Sequence, residues 1–349
     1  MVPDDLHQEN KPLAPLTTLG VGGPARWFLE ARTEQQIAEA AAWTREKGLR
    51  LFVLGGGSNV VVADRGFNGL VMHVALRGIE AGDERGDRIY RVAAGEDWDA
   101  FVQRTVDENC AGIECLAGIP GSVGGTPVQN VGAYGQEVSS TIERVRAFDL
   151  ATHEWVELAG WDCRFAYRRS RFNTAHRGRF VVTRVDYRLA QGGAPTLTYA
   201  DLKREFQGNA QPSVAELAAA VRRIRQAKGM LLVEGDPDSR SAGSFFKNPV
   251  IGEEHAGRIA EIAGKEPPRY PAEPGKVKVP AAWLLEQAGF AKGYAMGRAG
   301  ISARHTLALI NRGGATAGEI LALAETIRSA VQERFAIALE IEPVMVGVH

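Results

Sequence analysis

Cysteine is scarce. The 349-residue chain has three, Cys110, Cys115 and Cys163. An odd number with no CxxC pair excludes a disulfide framework and a zinc module, and fits a reduced compartment. Charge of one sign is lacking too: 41 Lys and Arg stand against 42 Asp and Glu, a formal net charge of −1. That balance excludes a general polyanion binder, so no nucleic-acid partner is expected, and it excludes an acidic disordered chain. A small anionic ligand needs only a few well-placed cations and stays open. No apolar run approaches the ~18 residues of a membrane helix. The first residues carry Asp4, Asp5 and Glu9 with no apolar stretch behind them, unlike a signal peptide. There is no fixed-period repeat and no low-complexity tract. None of the seven histidines joins a metal-ligand spacing, so no metal is expected; His305, beside Thr306-Leu307-Ala308-Leu309-Ile310, reads as a packed residue. These absences describe a cytoplasmic globular protein without a membrane partner. Its length suits two or three domains.

What the chain has is glycine, 40 residues of it, set among mixed helix and strand patterns. Thr33-Glu34-Gln35-Gln36 is a capping box, and Ile37, Ala40, Ala41 and Thr44 follow at helical spacing, up to Gly48. Leu51–Leu54 reads as a buried strand and Val60–Val62 as another. A helix is predicted near Asp97–Asn109 with Trp98, Phe101, Val102 and Val106 inward. Phe180–Leu189 alternates, which predicts a strand with Val181, Thr183, Val185, Tyr187 and Leu189 on one face. Ser213-Val214-Ala215-Glu216 opens a helix with Leu217, Val221 and Ile224. Gly229–Ser241 is rich in glycine, proline and acidic residues and reads as a hinge. Pro280–Ala288 and Thr316–Phe335 read as helices, and Leu339–Val346 as a closing strand. Strands and helices without regular βαβ alternation predict an α+β fold.

Two glycine clusters stand out. In Leu54-Gly55-Gly56-Gly57-Ser58-Asn59 the missing side chains let backbone N–H groups converge on an anion, although a tight strand-to-strand turn has the same composition. The dinucleotide fingerprint fails at Val60, and no Gly-Lys-Ser/Thr follows for a phosphate loop. The second cluster, Gly118 to Gly135, interleaves Ile119, Val123, Val128, Val131 and Tyr134. That suits an ordered wall, packed on one side and laid against a flat ligand on the other. The two loops either grip the two ends of a dinucleotide or are unrelated.

Thr18-Leu19-Gly20-Val21-Gly22-Gly23-Pro24-Ala25, the Gly55–Asn59 turn, the Gly118–Gly135 loop, Tyr167-Arg168-Arg169-Ser170, Ala242-Gly243-Ser244-Phe245-Phe246-Lys247-Asn248-Pro249 and Leu339-Glu340-Ile341-Glu342-Pro343 carry a resemblance. Together they resemble the UDP-N-acetylenolpyruvoylglucosamine reductase (UDP-N-acetylmuramate dehydrogenase) family over nearly the whole chain. Leu197-Thr198-Tyr199-Ala200-Asp201-Leu202 is similar to the tyrosine loop of one of that family's two types. Thr17 stands where an asparagine is often found. The resemblance implies an FAD-binding fold of the vanillyl-alcohol-oxidase type followed by a smaller α+β substrate-binding domain. The division it implies is 1–76 and 77–228 for the two FAD-binding subdomains, with 339–349 returning to the first, and 229–338 for the substrate domain. It implies noncovalent FAD, NADPH as hydride donor, and reduction of an enolpyruvyl UDP-sugar to UDP-N-acetylmuramate for peptidoglycan, by a monomer.

Adding hydride to an alkene next to a carboxylate leaves an enolate-like dianion. Such a site needs a cation at the carboxylate, a carboxylic partner and a proton donor at the other carbon. Spacing does not say which of Arg168, Arg169 and Arg171 points inward; the family's Tyr-Arg pair selects Arg168, whose planar fork grips a carboxylate with two bonds. Alternation puts Glu340 and Glu342 on one strand face; the family pattern selects Glu342, expected to hold or share a proton. Ser244 is implied as the proton donor, with Gly243 permitting close approach and Lys247 favouring the developing alkoxide. The resemblance further implies Gly55, Gly57, Ser58, Asn59, Gly121, Gly125, Gln129, Gly132 and Val182 at FAD. It implies Tyr199, Arg225, Lys228, Asn248, Tyr270, Lys278 and Gln287 at the substrate, with Arg225 and Lys228 on one turn at a helix end. A sugar or alcohol oxidase on the same fold would have no use for the Ser244 and Glu342 motifs; a nucleotide-sugar or flavin-binding protein without turnover stays open, although all three catalytic matches would then be coincidental. The first glycine loop also lacks the histidine or cysteine by which many such oxidases attach their flavin.

Overall fold

The computed structural model describes residues 7–206 and 211–348; Asp4 and Asp5 lie outside them. The chain forms two compact units. One takes the residues up to Lys11, Ala25–Gly57 and Phe67–Gln226; the other takes Pro12–Pro24, Ser58–Gly66 and everything from Ala227 onward.

The first unit holds two large sheets, besides a two-residue ladder of Gly132–Ala133 with Gln136–Glu137. In one, Pro24–Ala31 and Leu51–Leu54 flank Phe67–Val74, both parallel to it, and Gln8–Pro12 forms the outer edge. The helix Glu34–Glu46 begins at the Thr33 capping box and buries Ile37, Ala40, Ala41 and Thr44. The other sheet is antiparallel, in the order Glu154–Ala159, Ile142–Asp149, Phe180–Gln191, Asp87–Ala93, Ile79–Glu84. The helix Trp98–Asp107, capped by Asp97, presses Trp98, Phe101, Val102 and Val106 into the core. Phe101 lies 5.2 Å from the Tyr187 ring and 5.5 Å from Tyr90. Aromatic pairs at that spacing add about 1 kcal/mol each to simple area burial. On Phe180–Gln191 the predicted inward residues are buried, but so are Val182 and Asp186, since both faces of this central strand are covered.

The second unit is built from short sheets and helices. Ser241–Ser244, Ala308–Asn311, Ala299–Ile301 and Ala295–Met296 form one sheet; Val250–Gly252, Lys276–Lys278 and Tyr270–Pro271 form another. Val60–Val62 pairs in parallel with Val344–Val346. The helix Ala317–Phe335 starts at the Thr316–Glu319 capping box and buries Ile320, Leu323, Ile327 and Val331. Ala281–Gln287 is also helical, and so is Glu253–Ala263, which buries only Ala256 and Ile259 and starts at Gly252 with no side-chain cap.

The closing strand is shorter than the alternation predicts. It spans Val344–Val346 only, because Pro343 has no N–H for a ladder. Leu339–Glu342 instead meets the chain through a single antiparallel bridge, Ile341 to Phe246. The Gly229–Ser241 segment contains a short turn, Pro237–Ser239, and Arg304 binds its Asp236 and Asp238 carboxylates. The three cysteines are buried and unpaired, and burial pushes the Cys115 and Cys163 thiols up to about 12. Among the described residues no helix is long and apolar enough to cross a membrane.

Candidate active site

The two glycine loops meet in the first unit. Gly56 N–H donates to Ser122 Oγ at 3.2 Å. A Cβ on Gly56 would lie 2.6 Å from the Gly121 backbone, and one on Gly55 would lie 2.7 Å from Ser122 Oγ. The second loop is laid on the core by its backbone: Gly124 N–H donates to Ala94 O at 2.9 Å, and Trp98 N–H to Gly121 O at 3.1 Å. Gly57 and Gly121 are left-handed, at φ +65° and +137°. Gly125 differs, since a Cβ there would meet nothing nearer than Ser122 Oγ at 4.0 Å. A side chain at Gly55, Gly56, Gly124 or Gly132 would therefore clash with the chain itself, while the face at Gly125 is open. Gly132 pairs with Glu137 in a two-residue ladder, Val182 is buried on its strand, and Gln129 is half-buried. Ser58 and Asn59 belong by their contacts to the second unit, where Asn59 O accepts from Val344 N–H at 2.9 Å.

Arg168 sits at the tip of a two-residue hairpin. Ala166 and Arg169 exchange backbone hydrogen bonds at 2.9 and 3.0 Å, leaving Tyr167 and Arg168 as the turn. Arg168 is left-handed, φ +54°, a conformation that costs a side chain about 1–2 kcal/mol. Side chains hold it there. Asn173 Nδ2 donates to Arg168 O at 3.1 Å while Asn173 Oδ1 accepts from Ser170 N–H at 2.9 Å. Asn130 Nδ2 donates to Ala166 O at 3.1 Å, and Ser170 Oγ donates to Val128 O at 2.6 Å. The hairpin is thus tied to the second glycine loop. Arg168 is half-buried with its guanidinium 5.6 Å from the Tyr167 ring, Arg171 is half-buried against Phe180, and Arg169 is exposed.

The same unit holds Tyr199 and Arg225. Tyr199 precedes the short helix Ala200–Glu205 and meets the Tyr134 ring edge-on at 5.3 Å. Arg225 is buried, its Nε donating to Gly118 O at 3.1 Å. Burial lowers its pKa, against the opposing pull of Tyr134 and Asp99.

Ser244 and Glu342 come together in the second unit. Ser244 ends the strand Ser241–Ser244 opposite Ala308. The chain beyond it runs antiparallel to Glu340–Glu342: Glu342 N–H donates to Phe245 O, and Lys247 N–H to Glu340 O, both at 2.9 Å. Glu342 is half-buried beside this ladder. Glu340 is exposed and bound to the Lys247 ammonium. Lys247, expected to serve a Ser244 alkoxide, is turned to that carboxylate instead. Ser244 Oγ lies 3.4 Å from His305 Nε2, so the histidine expected to be mere packing faces the predicted proton donor. Gly243 is left-handed, φ +73°, with open space where a Cβ would stand.

Of the substrate candidates in this unit, Tyr270 and Lys278 are direct cross-strand neighbours. Asn248 Oδ1 caps the helix Ala281–Gln287 by accepting from Ala281 N–H at 2.9 Å, and Gln287 ends that helix. Lys228 is half-buried just past the helix Val214–Ala227. Sequence reading missed Asn130, Asn173, Ser170 and His305 as partners of the site. The one available signal was that Asn130 and Ser170 fall inside the quoted motifs.

Residues 25–159 match the family profile described as an FAD binding domain, and residues 236–346 match the C-terminal domain of UDP-N-acetylenolpyruvoylglucosamine reductase. Fold and matches define the class: an FAD-dependent oxidoreductase whose FAD-binding domain precedes a smaller α+β domain. The reductase of Streptomyces coelicolor is 48% identical, covering 99% of this chain and 91% of its own, and that of Thermobifida fusca is 46% identical, covering 97% and 98%. The crystal structure of the Thermus caldophilus reductase superposes with a TM-score of 0.67 at 27% identity, covering 97% of this chain and 98% of its own. The chain belongs to the UDP-N-acetylenolpyruvoylglucosamine reductase family.

Proposed function

We propose that this chain reduces UDP-N-acetylglucosamine enolpyruvate to UDP-N-acetylmuramate with NADPH, in the cytoplasm, as a monomer, for peptidoglycan synthesis. The observation that carries the reading is the ladder that sets Glu342 against Phe245, one residue from Ser244. When bound, FAD supplies the hydride chemistry that links the nicotinamide to the alkene. Its holders are Gly55, Gly57, Ser58, Asn59, Gly121, Gly125, Gln129, Gly132 and Val182, and the open face at Gly125 supports the fit.

The remaining steps belong to the side chains. Arg168 grips the substrate carboxylate, where charge grows as the alkene gains hydride. Glu342 holds a proton near that charge. Ser244 Oγ–H breaks as the new C–H bond forms at the other alkene carbon. Tyr199, Arg225, Lys228, Asn248, Tyr270, Lys278 and Gln287 bind the UDP-sugar, Arg225 from beneath the second glycine loop. The chain is of the tyrosine-loop type; Tyr199, exposed and edge-on to Tyr134, supports this. Residues 1–76, with 339–349, and 77–228 serve FAD, and 229–338 serve the substrate.

Purified protein should be yellow and should release its flavin on acid precipitation, since neither glycine loop offers an attachment point. NADPH oxidation should depend on the enolpyruvyl UDP-sugar. Flavin retained on the denatured chain, or NADPH oxidation indifferent to that sugar, would overturn the reading.

A further inference from the structure

Proton donation by a serine leaves an alkoxide, and turnover stops until a proton returns to it. Among the described residues, one side chain stands within hydrogen-bonding distance of Ser244 Oγ: His305, through Nε2 at 3.4 Å. The nearest ammonium on the same stretch, Lys247, is committed to Glu340.

The loop that presents His305 is held from several sides. Ser302 Oγ accepts from the N–H groups of Arg304 and His305 at 3.1 and 3.3 Å. His305 O accepts from Ala308 N–H at 3.1 Å, and Ser302 N–H donates to Ala308 O at 2.9 Å, closing the loop on itself. Thr306 Oγ1 donates to Glu286 at 2.6 Å, and Arg304 is bound by Asp236 and Asp238. Phe245 N–H donates to Leu307 O at 2.8 Å, which ties the loop to the residue after Ser244. An imidazole carried on a backbone held this way, with its Nε2 toward a serine hydroxyl, can do more than pack.

We infer that His305 is the positioning residue of the proton donor: it orients the Ser244 hydroxyl and returns a proton to Oγ after each transfer. This rests on Ser244 being the donor. The balance is simple. Ser244 O–H breaks and the substrate C–H forms, leaving the alkoxide; then Nε2–H of a His305 imidazolium breaks and Oγ–H re-forms, leaving neutral imidazole; a proton from bulk solvent restores the imidazolium.

Stopped-flow absorbance of the flavin-loaded protein separates reduction by NADPH from reoxidation by the enolpyruvyl UDP-sugar. His305→Ala should leave flavin reduction unchanged and slow reoxidation by about 10²-fold, the scale of a positioned acid or base. Added imidazole should restore part of it. His305→Gln keeps a donor without proton exchange, so it should fall between the two and gain nothing from imidazole. In a Ser244→Ala background, His305→Ala should add no further loss. Nitrogen NMR of histidine-labelled protein should show the His305 Nε2 resonance moving on Ser244→Ala, in the absence of any turnover. Wild-type reoxidation in both His305 variants, losses additive with Ser244→Ala, or an unmoved resonance would overturn this inference alone. Normal reoxidation in Ser244→Ala would overturn the donor reading, and this inference with it.

Discussion

The Arg168 hairpin and the Ser244 strand end hold the side chains proposed to react by opposite means. Arg168 stands in a left-handed conformation that the backbone alone disfavours, and Asn173, Asn130 and Ser170 keep the turn in place with side-chain bonds. Ser244 stands where main-chain ladders run on two sides, to Leu307 and to Glu340–Glu342, and no side chain is needed to set its backbone. The first arrangement can be undone by substituting a neighbour. The second resists any substitution that spares the backbone, so only the hydroxyl itself or its imidazole partner is vulnerable.

The sharpest test removes the hydroxyl. Ser244→Ala should keep the fold, FAD binding and flavin reduction, while reoxidation by the enolpyruvyl substrate falls by 10²-fold or more, on the order of a general acid's contribution. Ser244→Cys should recover part, because a thiol can donate from the same place. Stopped-flow measurement of both halves decides it; slowed flavin reduction with intact reoxidation would make Ser244 a structural residue.

The next effect is at the hairpin tip. Arg168→Lys keeps the charge and loses the fork, so turnover should drop by about 10²-fold, the loss of one preorganised donor. Arg169→Lys, at an exposed position, should change kcat/KM by less than twofold. Equal losses in the two variants would mean that the wrong arginine has been placed at the carboxylate.

A smaller effect separates the two ways of holding. Asn173→Ala leaves the Arg168 carbonyl and the Ser170 N–H without their partner, and should cost about 1–2 kcal/mol of stability, with a several-fold loss of kcat. Glu340→Gln breaks the ion pair with Lys247 but spares the ladder. It should leave both Tm and kcat nearly unchanged, as the Glu340 end of the pair faces solvent and pairs screened this way contribute about 0–1 kcal/mol. If Glu340→Gln proves the more damaging, the strand end depends on its side chains after all.

The least effect on stability comes from Arg168→Gly, whatever the loss of turnover. Relief of left-handed strain, about 1 kcal/mol, offsets glycine's extra chain entropy. Chemical denaturation should find stability within about 0.5 kcal/mol of the parent. Arg168→Val, β-branched at the same φ, should lose about 1–3 kcal/mol. Equal stability in the two would argue that the turn relaxes and is not held.

Local signals were legible where a side chain bonds to its own backbone neighbourhood. The capping boxes at Thr33 and Ser213 mark helices that begin at the next residue, since the bond that starts each helix lies within four residues of sequence. The helix Glu253–Ala263 carries no such bond, because Gly252 has no side chain to cap with, and its two buried residues make too weak a stripe. Pro343 was visible in the sequence, yet its power to end the last strand depends on which neighbour that strand pairs with.

The composition, the helix starts, the glycine loops and the motifs around Arg168, Ser244 and Glu342 needed nothing beyond the chain itself, because residue type and short spacing carry them. Tertiary structure set apart residues of one type: Arg168 and Arg171 half-buried and Arg169 exposed, Glu340 bound to Lys247, Arg225 under Gly118, and His305 at the Ser244 hydroxyl. It also joined Val60–Val62 to Val344–Val346 from opposite ends of the chain. The reason is distance along the sequence. Each of these choices sets residues side by side that no local propensity connects, and only the closing of sheets and cores settles which of several similar groups faces inward.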